Sequence, residues 1–168
     1  TVPLLVAVCP ASAQPFAYVT NGGSGTVSVI DTSVNQVATT ITIGGGTNPY
    51  GVAVNAAGTR VYIARDTVPG AVSVISTVTN TVTQTVPVGD WPVGIAVNLA
   101  GTRVYVTSSE NDSVSVIETI GNTVVATPAV GDRNARRHHG EGDGAGEFRL
   151  PGATLIAQVV GQENCRQR

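Results

Sequence analysis

The sequence predicts an all-β repeat protein, and three observations support this prediction. Apolar residues make up 42% of the chain and are mostly Val and Ala, with abundant Thr beside them. The 20 Gly and 9 Pro supply turn-forming residues for many short connections. Two segments recur along the chain at nearly constant spacing. Short strands joined by tight turns have this composition, whereas helices do not.

The recurring segments set the length of the repeat. Residues 51–63 (GVAVNAAGTRVYI) return as residues 94–106 (GIAVNLAGTRVYV), at an offset of 43 residues. The tetrapeptide VSVI occurs at residues 27–30, 72–75 and 114–117, at offsets of 45 and 42 residues. A period of this size with four strand-like segments is what one four-stranded antiparallel blade of a β-propeller requires.

Each period is predicted to contain four strands separated by turns. In the middle copy the expected strands cover residues 51–55, 60–64, 71–76 and 82–88. Turn residues recur in phase with these strands, and we interpret them as structural. They are Gly58 and Gly101, where a tight turn needs a positive φ, and Asn35, Asn80 and Asn122, which tolerate the left-handed conformation.

Tyrosines occupy one phase of the repeat. Residues 61–63 (VYI) and 104–106 (VYV) are apolar at every position, which is typical of strands buried on both faces. Since the blades of a propeller stack face to face, Tyr18, Tyr62 and Tyr105 are predicted to pack between blades. Each hydroxyl is expected to reach a partner at the rim.

Short phrases of the repeat resemble a known family. Residues 18–21 (YVTN) match the tetrapeptide after which the YVTN family is named, and residues 27–32 (VSVIDT) and 88–97 (VGDWPVGIAV) also resemble its repeat. The chain from residue 15 to 132 therefore resembles YVTN-type β-propellers. The resemblance implies a β-propeller fold but does not select one function. Proteins with this repeat include surface-layer components, periplasmic propellers and relatives of lactonase-like and haem-containing propellers.

The repeats are too few to close a ring. The first lacks its opening strand and the third ends near residue 132, which leaves about two and three quarter blades, whereas propellers close with roughly four to eight. The sequence therefore predicts an incomplete ring with an apolar blade face open at each end. Either the repeats belong to a longer propeller or copies assemble, and self-association through the open faces is expected.

The two ends of the chain differ from the repeats. Residues 1–13 combine an apolar stretch with Ala11-Ser12-Ala13, a pattern typical of the tail of a secretory signal peptide, although a buried strand is the alternative. A signal peptide implies an exported protein that is periplasmic, at the cell surface or extracellular. Residues 133–168 have no strand or helix period and are predicted to be an irregular or disordered tail, or an out-of-frame segment.

Composition excludes several classes of function. The net charge is −2 and the chain contains no Lys, so the repeats offer no basic stripe for nucleic acid. No apolar stretch approaches the length of a membrane span. The repeats contain no His, so no Ser, His and Asp set can form there. His138 and His139 match no metal-binding spacing, and we expect neither a metal nor a cofactor.

The candidate binding residues lie in the loops that enter each innermost strand. In a propeller such loops meet at one mouth of the central channel, where ligands usually bind. Trp91 is the single Trp of the chain, and Asn48, Tyr50 and Asp90 accompany it in phase. An exposed aromatic ring beside a carboxylate suits a surface glycan, a peptide or a partner protein. The alternative is that Trp91 packs over the neighbouring blade.

The sequence favours a binding function over catalysis. The first hypothesis is a non-catalytic propeller segment of an exported or cell-surface protein, serving protein or ligand binding or surface assembly. The alternative is a fragment of a lactonase-like hydrolase, with carboxylate and Asn metal ligands around the channel. The aspartates do not recur at one inner-strand phase, which favours binding; they are Asp31, Asp66, Asp90 and Asp112.

Overall fold

Eleven strands in three antiparallel sheets build the part of the chain that the computed structural model describes, residues 16–44 and 47–131. The predicted signal peptide (1–13) and tail (133–168), with its histidine pair, lie outside the described residues. Sequence-neighbouring strands are hydrogen-bonded neighbours in every sheet. The prediction of an all-β chain is confirmed.

The strands follow the order that the repeat predicts, and in the middle copy their bounds lie within two residues of the predicted ones. The first sheet contains β1 (Phe16–Asn21), β2 (Thr26–Asp31) and β3 (Gln36–Thr42). The second contains β4 (Pro49–Val54), β5 (Arg60–Arg65), β6 (Ala71–Ser76) and β7 (Thr81–Pro87). The third contains β8 (Pro92–Val97), β9 (Arg103–Ser108), β10 (Ser113–Glu118) and β11 (Thr123–Ala126). A short 3-10 turn, Gly22–Ser24, follows β1.

The direction of the strands sorts the connections into two groups. The hairpins β4–β5 and β8–β9, together with β2–β3, β6–β7 and β10–β11, lie at one end of the sheets, which we call the hairpin end. The loops β1–β2, β5–β6 and β9–β10, and the connections between sheets that lead into β4 and β8, lie at the opposite end, which we call the loop end. All loops that enter an innermost strand are therefore at the loop end.

Asparagine and glycine set the turns at the hairpin end. Asn55 Oδ1 accepts hydrogen bonds from the backbone N–H of Thr59 at 2.8 Å and of Arg60 at 2.9 Å, and Gly58 has a φ of 66°. Asn98 repeats these bonds at the same distances one sheet later. Asn35, Asn80 and Asn122 have φ values of 54°, 52° and 51°, as predicted for left-handed turn residues.

Apolar side chains fill the two spaces between the sheets. Tyr18 lies in the first cluster, with Val and Ile side chains of the first and second sheets. Tyr62 lies in the second cluster, with apolar side chains of the second and third sheets. The innermost strands also approach closely, because a Cβ added to Gly51 would lie 2.4 Å from the carbonyl oxygen of Val93. The sheets therefore stack face to face, as blades do.

Tyr105 differs from its two counterparts. Tyr18 and Tyr62 are buried, whereas Tyr105 is 43% exposed and only its neighbours Val104 and Val106 are buried. The prediction that Tyr105 packs between blades is wrong for the described residues. The reason is that the face of the third sheet that carries Tyr105 has no further sheet against it in residues 16–44 and 47–131.

Candidate ligand groove at the loop end

A groove with a volume of about 570 Å³ opens at the loop end and is lined by all three sheets. The first sheet contributes the glycine-rich turn at residues 22–25. The second contributes Thr47 and Asn48 before β4 and residues 66–68 after β5, and Trp91 enters from the connection that leads into the third. The volume lies in the range of about 300–1,000 Å³ that is usual for ligand pockets.

Glycine is required in the wall that the first sheet supplies. Gly25 has a φ of 65°, and a Cβ added to it would lie 2.7 Å from the carbonyl oxygen of Gly44. Thr47 beside it is buried, and its Oγ1 donates a 2.6 Å hydrogen bond to the same carbonyl oxygen. This wall is thus formed by closely packed backbone.

Trp91 is held in an unusual backbone conformation. Its φ of 51° lies in the left-handed region, which a bulky residue rarely adopts. Its N–H donates to the carbonyl oxygen of Thr67 at 3.2 Å, and its own carbonyl oxygen accepts from the N–H and the Oγ of Ser109 at 3.1 and 3.2 Å. Loops of the second and third sheets therefore fix the backbone on both sides of an indole that stays 43% exposed.

Asn48 occupies the position that corresponds to Trp91 one repeat earlier. The carbonyl oxygen of Asn48 accepts a 2.8 Å hydrogen bond from the N–H of Asp66, as that of Trp91 does from Ser109. Asn48 is not among the residues with positive φ. The backbone bond is thus a property of the repeat, whereas the left-handed Trp is particular to this groove.

Both apolar and polar residues line the groove. Val68 is 60% exposed and Trp91 43% exposed, and both line it. Asn48, Asp66 and Ser24 line it as well. None of the described lining residues is an arginine. The residues that line the groove therefore include apolar, polar and acidic types.

The structure separates the four residues that the sequence places in the site. Asn48 and Trp91 line the groove. Asp90 lines a second groove of about 450 Å³, and its Oδ1 accepts a 3.0 Å hydrogen bond from the N–H of Gly70. Tyr50 is 45% exposed on β4, and its carbonyl oxygen accepts a 2.9 Å bond from Thr20 Oγ1. Tyr50 lines neither groove.

Sequence reasoning missed two segments that line the groove: the turn at residues 22–25 and residues 66–68. They lie in the β1–β2 and β5–β6 loops. Their signal in the sequence is the position within the repeat, because each of these loops follows the second strand of a blade, where the chain has returned to the loop end. Tracing strand direction together with repeat phase would have placed them beside Asn48.

Two further observations bear on the chemistry of the site. Within the described ranges, no group of three or more His, Cys, Asp and Glu side chains lies close enough to hold a metal ion. No helix in the described part of the chain is long and apolar enough to cross a membrane.

Comparison with known proteins concerns the fold. The sequence matches no protein-family model, and a search of curated proteins also finds no match. A solved structure, Kuenenia stuttgartiensis hydrazine synthase, is similar with a TM-score of 0.65 and 22% sequence identity. The match covers 79% of this chain and 40% of that chain, so this chain spans less than half of its length. Together with the three stacked sheets, this likeness identifies the chain as an all-β array of β-propeller blades.

Proposed function

We propose that the chain is a non-catalytic binding segment of a YVTN-type propeller in an exported or cell-surface protein, and that its ligand occupies the groove at the loop end. The family assignment is supported by the YVTN tetrapeptide at residues 18–21 and by the phased VSVI segments. Export is supported by the apolar stretch and the Ala11-Ser12-Ala13 pattern in residues 1–13.

The conformation of Trp91 is the observation that carries the binding role. A left-handed backbone costs on the order of 1–3 kcal/mol and persists only where neighbouring structure imposes it. Folding alone gives no reason for a tryptophan here, since the indole is 43% exposed and Asn48 occupies the equivalent position. Hydrogen bonds on both sides hold the backbone of Trp91, so binding a ligand at this half-exposed ring orders little further backbone.

Co-sedimentation with a bacterial cell-envelope fraction tests this function. We expect the chain to sediment with the envelope and Trp91→Asn to remain in the supernatant. Asn is the appropriate substitution because it tolerates the left-handed conformation and is the residue that the repeat itself uses at position 48. Leu99→Ala is the matched control, because Leu99 is 94% exposed at the hairpin end. Equal sedimentation of Trp91→Asn and the parent chain would contradict the proposal.

Hydrolysis of a simple lactone tests the non-catalytic part of the proposal. We expect no release of the hydroxy acid from γ-butyrolactone above the buffer rate, with or without added Ca²⁺. Turnover that follows the purified chain through chromatography would instead support the lactonase-like alternative.

A further inference from the structure

We propose that the open face of the third sheet binds the first sheet of a second copy of this chain, head to tail, and that this contact repeats the interfaces between the chain's own sheets. The inference concerns assembly and is independent of the groove and its ligand. It goes beyond self-association in general, because it states which face contacts which.

The two sheet interfaces within the chain have the same polarity. Tyr18 of the first sheet and Tyr62 of the second each lie on the face that packs against the following sheet, which we call the tyrosine face. The following sheet receives each tyrosine on a face of Val and Ile, which we call the aliphatic face. Its buried residues correspond one repeat apart: they are Val61, Ile63 and Ile75 on the second sheet and Val104, Val106 and Ile117 on the third.

The third sheet leaves its own tyrosine face open. Tyr105 and Val116 are cross-strand partners on this face, as Tyr62 and Val74 are one repeat earlier. Tyr62 and Val74 are fully buried, whereas Tyr105 is 43% exposed and Val116 half-buried. The third sheet therefore presents to solvent the kind of face that the first and second sheets bury.

The first sheet leaves the complementary aliphatic face open. Ile30 and Val37 are cross-strand partners on the side opposite Tyr18, and Val37 is 60% exposed. One repeat later, Ile75 and Val82 are partners in the same way. Ile75 is fully buried and Val82 packs against the first cluster. The open face of the first sheet is thus built like the face that receives Tyr18.

Polar contacts at the hairpin end add to both internal interfaces. The Tyr18 hydroxyl donates to Asn80 Oδ1 at 3.2 Å, and Arg60 Nη1 donates to the carbonyl oxygen of Thr119 at 2.6 Å. In both cases the strand that carries the tyrosine supplies the donor. The acceptor lies in the turn before the outermost strand of the following sheet.

The same donors and the same turn are present at the two open faces. Arg103 and Tyr105 on β9 are the counterparts of Arg60 and Tyr62, and Arg103 remains 38% exposed beside Glu118. Residues 32–35 form the corresponding turn of the first sheet. We expect Arg103 and Tyr105 to reach residues 32–35 of the second copy.

The number of sheets favours a closed pair of copies. A head-to-tail contact produces a ring where the rotation closes and a growing filament where it does not. Each copy brings three sheets, and the resulting six lie within the range of about four to eight blades with which propellers close. We therefore expect dimers rather than filaments.

Mixing two variants tests this arrangement, because each variant blocks one of the two open faces. Val116→Glu places a carboxylate on the tyrosine face of the third sheet, and Val37→Glu places one on the aliphatic face of the first. In analytical ultracentrifugation we expect the dissociation constant of each variant alone to be at least tenfold higher than that of the parent chain. The equimolar mixture should associate more strongly than either variant, since each supplies the face that the other lacks.

Native mass spectrometry with one variant labelled with ¹⁵N identifies the pairs. Dimers with one copy of each variant should exceed the share of about one half that random pairing gives. Leu99→Glu, at the 94% exposed position of the hairpin end, should associate as the parent chain does. Circular dichroism and urea unfolding confirm that each variant is folded, and Tyr105→Glu replaces Val116→Glu if that variant is not.

Three results would overturn the proposal. Association of Val37→Glu alone as strong as that of the parent chain would show that two tyrosine faces contact each other. A mixture no more associated than the separate variants would exclude the head-to-tail contact. A parent chain that is monomeric at every concentration would show that no second copy covers these faces.

Discussion

The hydroxyl of Tyr18 on β1 donates a 3.2 Å hydrogen bond to Oδ1 of Asn80, 62 residues later in the β6–β7 hairpin. This bond joins the first sheet to the second. The corresponding pair one repeat on is Tyr62 and Asn122. Both the Tyr62 hydroxyl and Asn122 Oδ1 are buried without a hydrogen-bond partner. The same two residue types thus meet across one sheet interface and fail to meet across the next.

Phenylalanine substitutions should distinguish these tyrosines. Tyr18→Phe removes a hydrogen bond and leaves Asn80 Oδ1 without this partner, so we expect a loss of about 0.5–1.5 kcal/mol in the free energy of unfolding. Tyr62→Phe removes a buried hydroxyl that has no partner, so it should be neutral or stabilising. Tyr105→Phe, at a 43% exposed position, is the control. Urea unfolding measures all three, and equal losses at positions 18 and 62 would contradict this account.

Burial of Tyr18 should make the chain sensitive to alkali. Burial raises the pKa of the Tyr18 phenol above its ordinary value of 10.0. The folded state therefore holds this proton more tightly than the unfolded state. Below pH 10 the phenol is protonated in both states, and its contribution to the free energy of unfolding is fully present. This contribution is lost as the pH rises from 10 through the pKa of the folded state.

Urea unfolding at pH values from 8 to about 11.5 tests this pH dependence. We expect the parent chain to lose stability more steeply above pH 10 than Tyr18→Phe does. Parallel pH profiles of the two proteins would show that the Tyr18 phenol does not contribute.

The left-handed turn at Asn35 should tolerate glycine but not alanine. Asn35 is exposed and has a φ of 54°. The left-handed conformation costs most residues about 1–2 kcal/mol because their Cβ is crowded, whereas Gly has no Cβ and Asn and Asp tolerate this conformation. We expect Asn35→Ala to lower the free energy of unfolding by about 1 kcal/mol and Asn35→Gly to change it by a few tenths. Thermal unfolding decides, and an Ala variant as stable as the Gly variant would argue against the turn geometry.

The close approach of β4 and β8 should make Gly51 intolerant of a side chain. A Cβ at this position would lie 2.4 Å from the Val93 carbonyl oxygen and 3.0 Å from Cγ2 of Ile95. Relief requires backbone movement, so Gly51→Ala should cost about 1–3 kcal/mol or more. Gly23→Ala is the control, because no heavy atom lies within 4 Å of its added Cβ. Comparable stability of the two variants would refute the tight packing of these strands.

The open face of the third sheet should promote self-association. Tyr105 pairs in register with Val116 on β10 and with Ala96 on β8, so the three side chains share this face. We expect light scattering to show an oligomeric fraction that grows with concentration and that falls in Val116→Glu. Leu99→Glu, at the hairpin end, should behave as the parent chain does. A monomer at every concentration would contradict this prediction.

Sequence reasoning predicted the blades well because each repeat carries its own folding signals. Asn55 and Asn98 specify their turns through local hydrogen bonds, so their positions in the sequence are sufficient. The groove depends instead on where loops of different sheets meet. Asp90 and Trp91 are adjacent in sequence, yet they line different grooves, and the Asp90 carboxylate turns to the N–H of Gly70. Tyr105 was misjudged because its burial depends on a neighbour beyond its own repeat.

The hairpin end and the loop end differ in how far equivalent positions of the repeat keep the same residue. At the hairpin end, Asn55 and Asn98 accept the same hydrogen bonds at the same distances. At the loop end, the equivalent positions 48 and 91 accept the same backbone hydrogen bond, but one residue is Asn and the other is a left-handed Trp. Turn chemistry at the hairpin end thus maintains the frame of each blade. The loops opposite can diversify without altering that frame, so substitutions confined to the loop end should leave the stacking of the blades intact.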